Sequence, residues 1–563
     1  MSARRSAFGV PVAGRLRCAA PAASRRAGTA VLAVPVVVVV AAILVVARNG
    51  AYASPDSAFY VGVARSLRDG LDLVAPPGSQ PLAHFPPLFP VLLAAAAAVL
   101  GLDPLDAAAV ANPLLAGATG LLVGLVVRGR TGSAAWGAAA AAAVMVARES
   151  LVYGASALSE PLFVLLAVAG LVALATSIDR RSEGLLAGAT VLVGLACLTR
   201  YAGAALIVAG AAALVRFEGA PGRRRALVFT AGAAAPLALW LAAVGRTNRR
   251  VSLHLFDAEY WTIGADALTR WVAPAFLPWP VRAAVAPAVA VAVWRVSRGL
   301  PRRAPAGGSS PASSVRARSG EGAWPAGGSN PPSSSPAAAG GGGLAGIARG
   351  GDPLPFVLGA FTAAYLALLV ADRLLLDASG RLDGRFLLPL HAMAVLALAP
   401  VLARAAAGAA GRAVIGVGVG LLALHAVQAA SWAVSGVTDD SLGRRGLTAR
   451  AWTESPVVAA VAGLPPSVPV YTNAADALFL HTGRRATTLP AHRDLLAGEP
   501  RPTYGRELAA MARRLRQEGG VVVYVAPFAF RELFLPGPDE IAHAVALEPV
   551  DADGIAAIYR PVP

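Results

Sequence analysis

Apolar residues run along this chain in long blocks separated by short polar breaks. Blocks approaching 20 residues, the length that carries a helix through a hydrocarbon core roughly 30 Å thick, fall at 29–47, 105–127, 133–152, 161–178, 184–199, 202–215, 226–245, 281–297, 354–376, 386–403 and 412–435. Eleven transmembrane helices are predicted, the fifth and sixth divided only at Arg200. The apolar run 86–101 (PPLFPVLLAAAAAVLG) is short and opens on two prolines. Were it a crossing, Arg128 and Arg130 would change sides and the alternation of loop charge would invert, so an interfacial or re-entrant helix on the outer side is expected. Beyond residue 435 the pattern changes: VPVYTN, RATTLP and VVVYVAP alternate with the helical patterns ADALFLHTG and GRELAAMARRLRQEGG. The fold class expected is an all-α polytopic membrane protein with a small C-terminal extracytoplasmic α/β domain.

Charge orients these elements. Only 14% of the 563 residues are charged, well below the roughly 25% of soluble domains, yet the net charge is +17 and all 49 basic residues are arginine. Such an excess could mark a nucleic-acid partner, so its placement decides. The tail holds Arg4, Arg5, Arg15, Arg17, Arg25 and Arg26 without an acid, whereas residues 436–563 hold 13 arginines and 14 acids. The excess gathers in the tail and the loops on its side of the membrane, which makes it an orientation signal. The N-terminus is expected in the cytoplasm of a bacterial plasma membrane protein, with membrane lipids as surroundings and no nucleic acid. Ala51-Tyr52-Ala53 fits a signal-peptide cleavage pattern, but the run before it is too long and ten further spans follow. The organisation expected is a tail at 1–28, a transmembrane module at 29–297 with a first outer loop at 48–104, a disordered cytoplasmic Gly/Pro/Ser-rich linker at 298–352, further helices at 353–435 and the α/β domain at 436–563. Cys18 and Cys197 imply no disulfide framework.

Few polar residues remain outside to carry chemistry. In AYASPDSAFYVGVARSLRDGLDL, Asp56 follows a Ser-Pro turn and opens a helical pattern with Phe59, Tyr60, Val63 and Leu67 on one face. It either caps that helix or acts as general base on an acceptor hydroxyl; the residues alone leave both open. His84 heads QPLAHFPPLFP with no HExxH partner, so no spacing supports a metal. Glu160, before Pro161 in SALSEPLF, either caps the fourth span or faces a cavity. Arg200 with Tyr201 in CLTRYAG, Arg246, Arg249 and Arg250 in GRTNRR, and Arg373, Arg381 and Arg385 around ASGRLDGRF are the outer arginines. They suit a phosphate, which arginine grips bidentately, or else balance Asp257, Glu259, Asp377 and Asp383. Without a Walker A motif or a strand-linked GxGxxG, a nucleotide-driven mechanism has no support. No cofactor is called for.

The succession PDSAFYVGVARSLRDG, HFPPLFPVLLA, SALSEPLF, LTRYAG and GRFLLPLHA resembles the GT-C superfamily of polytopic glycosyltransferases. The branch most alike includes protein O-mannosyltransferases, the lipid A aminoarabinose transferase and RgtA/B/C/D-like enzymes, and the likeness covers roughly residues 29–400. It implies that the acid after the first span, Asp56, is the catalytic base and that the donor is a sugar on a polyprenyl phosphate delivered within the outer leaflet. The family's acid after the third span, often in an Asp-Pro pair, falls on Glu160-Pro161. Its second acid in the first loop is not evident, since His84-Phe85 stands there. Catalytic roles for Asp56 and Glu160 follow, with donor phosphate on Arg200, Tyr201, Arg246, Arg249, Arg385 and His84. The expected function is inverting transfer of a sugar to a hydroxyl of a protein, lipid or glycan acceptor. A flippase or transporter of a lipid-linked substrate, which usually carries inverted repeats, and a non-catalytic cell-envelope assembly protein are the alternatives.

Overall fold

The computed structural model describes residues 22–70, 73, 82–244, 256–298, 351–375, 381–438, 446–494 and 498–562. The helices are α1 (Ala22–Val46), α2 (Pro55–Gly70), α3 (Leu88–Leu100), α4 (Pro104–Thr131), α5 (Ala134–Met145), α6 (Arg148–Gly154), α7 (Glu160–Arg180), α8 (Glu183–Thr199), α9 (Ala204–Glu218) and α10 (Ala220–Val244). They continue with α11 (Ala258–Thr269), α12 (Trp279–Arg298), α13 (Pro353–Leu375), α14 (Gly384–Ala405) and α15 (Ala409–Thr438). All eleven apolar blocks lie on helices. Among the described residues eight helices are long and apolar enough to cross a bilayer, with Ala30–Val46 and Glu183–Thr199 as shorter apolar helices. The linker 299–350, where disorder was expected, and most of the N-terminal tail lie outside the described residues.

The third block departs from the expectation of one straight span. It is broken into α5 and α6, bent by 64°, where Ala147 turns to an extended conformation. A straight continuation would carry Arg148 and Glu149 on along the apolar helix; the bend instead turns Glu149 inward, where it is buried against Gly384. Within the run 86–101 lies α3, whose 13 residues reach only about 20 Å at 1.5 Å per residue.

Central to the bundle is α7, the most buried of the eight, packed against α8, α4, α13 and α14. By contrast α12 and α15 bury few of their residues, and their apolar surface suits lipid contact. Beyond α15 come α16 (Arg450–Thr453), α17 (Pro456–Gly463), α18 (Ala475–Thr482), α19 (Tyr504–Glu518) and α20 (Pro538–Val545), around strands β1 (Val470–Thr472), β2 (Thr487–Thr488), β3 (Val521–Val525), β4 (Leu547–Ala552) and β5 (Ala556–Pro561). The sheet order is β2-β1-β3-β5-β4, parallel across the first three and antiparallel thereafter. Every residue of VVVYV in β3 is buried, as a strand covered on both faces requires: Val521, Val523 and Val525 join the main core, Val522 and Tyr524 the core under α19.

That main core runs unbroken from α7 through Phe59 and Val61 of α2 to Leu478 of α18 and β3, so helical bundle and sheet are one packed body. Two polar ties reinforce the junction. Leu447 donates its backbone N–H to the Ala53 carbonyl at 2.9 Å; the adjacent Gly446 has φ +57° and comes so close to the Ala53 oxygen that a Cβ would lie 2.3 Å from it, so only glycine fits. Arg65 of α2 grips both oxygens of Asp103, the N-cap of α4, and donates to the Leu480 carbonyl at 3.1 Å. Burial alone would raise the Asp103 carboxyl, but the Arg65 guanidinium and the Leu105 N–H more than offset it and hold it below its ordinary value.

A carboxyl whose folded value is depressed contributes stability above its unfolded value, about 3.9, and loses it as pH falls. In thermal melts of the detergent-purified chain, Asp103→Asn therefore melts below the wild type at neutral pH, and the gap narrows once pH falls below about 4 and closes only below the depressed folded value. An equal gap at both ends of that range would count against the tie.

Candidate functional site

Three helix starts converge on one spot, the N-termini of α2, α7 and α14, and each brings a charged residue in its first turn: Asp56, Glu160 and Arg385. Local sequence explains each start. Pro55 and Pro161 have fixed φ and no N–H to satisfy, which suits the first helical turn. For α14 the cap is Asp383, whose Oδ1 accepts the backbone N–H of Arg385 at 2.9 Å and of Phe386 at 3.2 Å. The loops before α2 and α7 are then tied together. Tyr52 donates its N–H to Ala155 and accepts that of Ala157, both at 2.8 Å, while the buried Asn112 side chain donates to the Ser156 and Leu158 carbonyls at 2.5 and 2.9 Å. Residues 104 positions apart in the chain are thereby held side by side.

The result is a network of two carboxylates and two guanidinium groups. Arg385 donates through one terminal nitrogen to Asp56 Oδ2 at 2.6 Å and through Nε to Glu160 Oε1. Arg200, at the C-terminal end of α8, donates to the same Glu160 oxygen and to Ser159 Oγ at 3.3 Å, with its guanidinium 5.6 Å from the Phe386 ring centroid. Charges therefore balance within the cluster. The carboxylates differ in exposure: the Glu160 side chain is 2% exposed and that of Asp56 31%. Tyr60, one turn after Asp56, is buried with its hydroxyl 3.3 Å from Ser159 Oγ; burial raises its phenol above the ordinary value, which keeps it a neutral hydrogen-bonding group.

Of the residues singled out in the sequence, the structure thus joins Asp56, Glu160, Arg200 and Arg385. Tyr201 turns to the other side and donates to the Ala83 carbonyl at 2.6 Å, in the short 3-10 turn Leu82–His84. His84 packs its ring edge-on against Phe85, centroids 4.5 Å apart. Arg373 and Arg381 are in the charge-balance arrangement, 3.6 Å from Asp257 and 3.3 Å from Glu259. Arg246, Arg249 and Arg250 lie outside the described residues. Among those described, no group of three or more His, Cys, Asp or Glu side chains is placed to share a metal ion.

The sequence reading missed the supports of this cluster. Asn112 and Ser159 are ordinary polar residues in apolar surroundings and carry no motif. Asp383 was weighed only as a counter-charge, although an acid one residue before a glycine-started helix is a capping signal. Glu149 and Gly384 meet closely: a Cβ on Gly384 would lie 2.7 Å from Glu149 Oε1, so a bulkier residue would push Arg385, its neighbour, off its carboxylates.

Exposure separates the two acids in stability. Removing one partner of a buried ion pair costs about 3–5 kcal/mol, against about 0–1 kcal/mol for a solvated one. Glu160→Gln should therefore lower the thermal midpoint of the purified protein sharply, whereas Asp56→Asn should shift it little. Equal shifts would mean that Glu160 is not the charge on which the two arginines rest.

No family model matches the chain, and no curated protein matches it in sequence. Solved structures do. The crystal structure of ArnT from Cupriavidus metallidurans in the apo state superposes with a TM-score of 0.53 at 14% identity, covering 96% of this chain and 98% of that one. The same protein bound to undecaprenyl phosphate gives 0.52 at 14% identity, covering 94% and 97%. At that identity the likeness is one of fold, and it extends over the sheet as well as the helices. ArnT is an aminoarabinose transferase of the GT-C superfamily, and this chain has the GT-C fold.

Proposed function

We propose that the chain is an inverting glycosyltransferase that moves a sugar from a polyprenyl-phosphate donor to an acceptor hydroxyl at the outer face of the plasma membrane. The observation that carries this reading is the unequal exposure of the two carboxylates on Arg385: Asp56 is open and Glu160 is buried. A retaining double displacement needs a second group free to attack the sugar. One accessible carboxylate suits a single in-line displacement, in which one general base is enough because the phosphate leaves without needing a proton. Asp56 takes the proton of the acceptor hydroxyl as its oxygen attacks the anomeric carbon, and the bond to the phosphate oxygen breaks with that electron pair. The leaving phosphate gains negative charge, which Arg385 and Arg200 are placed to stabilise. Glu160 acts through these arginines as a positioning residue.

Support for the donor class comes from the fold shared with a protein crystallised with undecaprenyl phosphate and from the cationic pair beside the base. Arg385 binds Asp56 in the unliganded arrangement. A donor phosphate would compete with Asp56 for that guanidinium and free the carboxylate to face the acceptor. The outer-face assignment rests on the arginine-rich tail, and residues 436–563 are then an extracytoplasmic α/β domain over the site.

Transfer of radiolabelled sugar from polyprenyl-phosphate donors in membranes tests the assignment. Asp56→Asn should reduce transfer by about 100-fold or more at matched protein levels, and undiminished transfer would sink it. Reporter fusions at residues 330 and 500 should report opposite sides of the membrane; the same side for both would overturn the orientation.

A further inference from the structure

We propose that the cavity beside Arg148 binds the phosphate headgroup of a membrane lipid, at a site separate from the Asp56 cluster. The cavity is about 470 Å³ and is lined by Arg148 and Tyr52 on one side and by Gln428, Ser431, Trp432 and Ser435 of α15 on the other. None of the four cluster residues contributes to it.

Three observations define what it takes. Arg148 is exposed and forms no ion pair among the described residues, although nearly every other arginine at this end of the bundle has a carboxylate partner. An unpaired guanidinium at a cavity calls for an anion, and its fork fits phosphate oxygens. Gln428 accepts the Ala275 N–H at 2.5 Å through Oε1, which holds this polar side chain in the cavity wall. The α15 residues at i, i+3, i+4 and i+7 form a polar stripe on a helix that is otherwise mostly apolar and buries few of its residues.

Such a stripe would be costly against lipid tails, and it is tolerated where headgroups reach, a level that Trp432 also favours. Its neighbours are apolar and open: Phe276 is 55% exposed, Val427 61% and Val434 65%. A ligand with an anionic head on Arg148 and a hydrocarbon tail along these side chains satisfies both surfaces. This inference does not depend on sugar transfer.

The full chain, purified in detergent and delipidated, is titrated separately with dioleoyl phosphatidylglycerol, undecaprenyl phosphate, dioleoylglycerol and inorganic phosphate, and bound copies are counted by native mass spectrometry. The expected result is that one phosphate-lipid copy is held by the wild type and by Arg148→Lys and loses at least tenfold in affinity in Arg148→Gln, while any undecaprenyl phosphate seated at Arg200 and Arg385 is unchanged by both variants. The phosphate lipid held more tightly names the source. Ser431→Ala, at an exposed position, should weaken the same copy severalfold without altering the lipid-free melting curve, and it carries the test should Arg148→Gln fold poorly. Unchanged binding in both variants overturns the proposal. So does dioleoylglycerol binding as tightly as phosphatidylglycerol, or retention of inorganic phosphate without either lipid.

Discussion

Glu160 pairs with two arginines where its own carboxylate is cut off from water, and most of the structure around the candidate site follows from that requirement. A charge taken out of water must be paired and hydrogen-bonded, or the cost is several kcal/mol. Arg200 and Arg385 come from α8 and α14, far apart in the chain, and both converge on Glu160 Oε1. Satisfying this one oxygen fixes the relation of α7 to both helices. It also leaves Arg385 a nitrogen with which to hold Asp56. The exposed acid is thus positioned by the buried one through a shared guanidinium, and a planar fork can do this where the point charge of a lysine could not.

The supports lie mostly in backbone. Three helix N-termini face the cluster, and their partial positive charge favours the carboxylates of α2 and α7 but not the arginine that opens α14. Asp383 answers that last point by capping α14 and placing an acid beside it. Asn112 ties down the loop before α7 from within a membrane-spanning helix, where an amide is retained only if its partners are good. Each device holds a short polar segment still at the end of an apolar helix.

How much of this the sequence disclosed depends on the range of the interactions. Helix positions were legible because the bilayer imposes one length and one composition on every span, and β1, β2 and β3 because their β-branched and aromatic residues cluster between turn signals. Asp56 and Glu160 stood out because acids are rare in such a chain. Their union was not legible, since pairing across 104 residues leaves no local pattern. The break at Ala147 was hidden for a related reason: the alanine-rich run before it is helical by any local measure, and only the destination of Glu149, beside Gly384, explains the turn. The strand β4 was missed because it is an exposed edge strand interrupted by Pro549 and two acids, and β5, although apolar and partly buried, because it pairs with β3 across more than 30 residues, which leaves no local hairpin signal.

Attachment of the sheet to the helices gives the arrangement a further consequence. The segment Ala51–Ala53 pairs on one side with Ser156, before α7, and on the other with Gly446, ahead of the sheet. Asp56 follows three residues later, so the same strand-like stretch that aligns it with Glu160 also receives the C-terminal portion of the chain. A movement of that portion would pull on the segment carrying Asp56 before it reached any other part of the cluster. Glu160, by contrast, is anchored from below by α7 in the middle of the bundle. The two carboxylates on Arg385 are therefore unequal mechanically as well as in exposure. One belongs to the rigid interior, and the other to a junction where both halves of the chain meet.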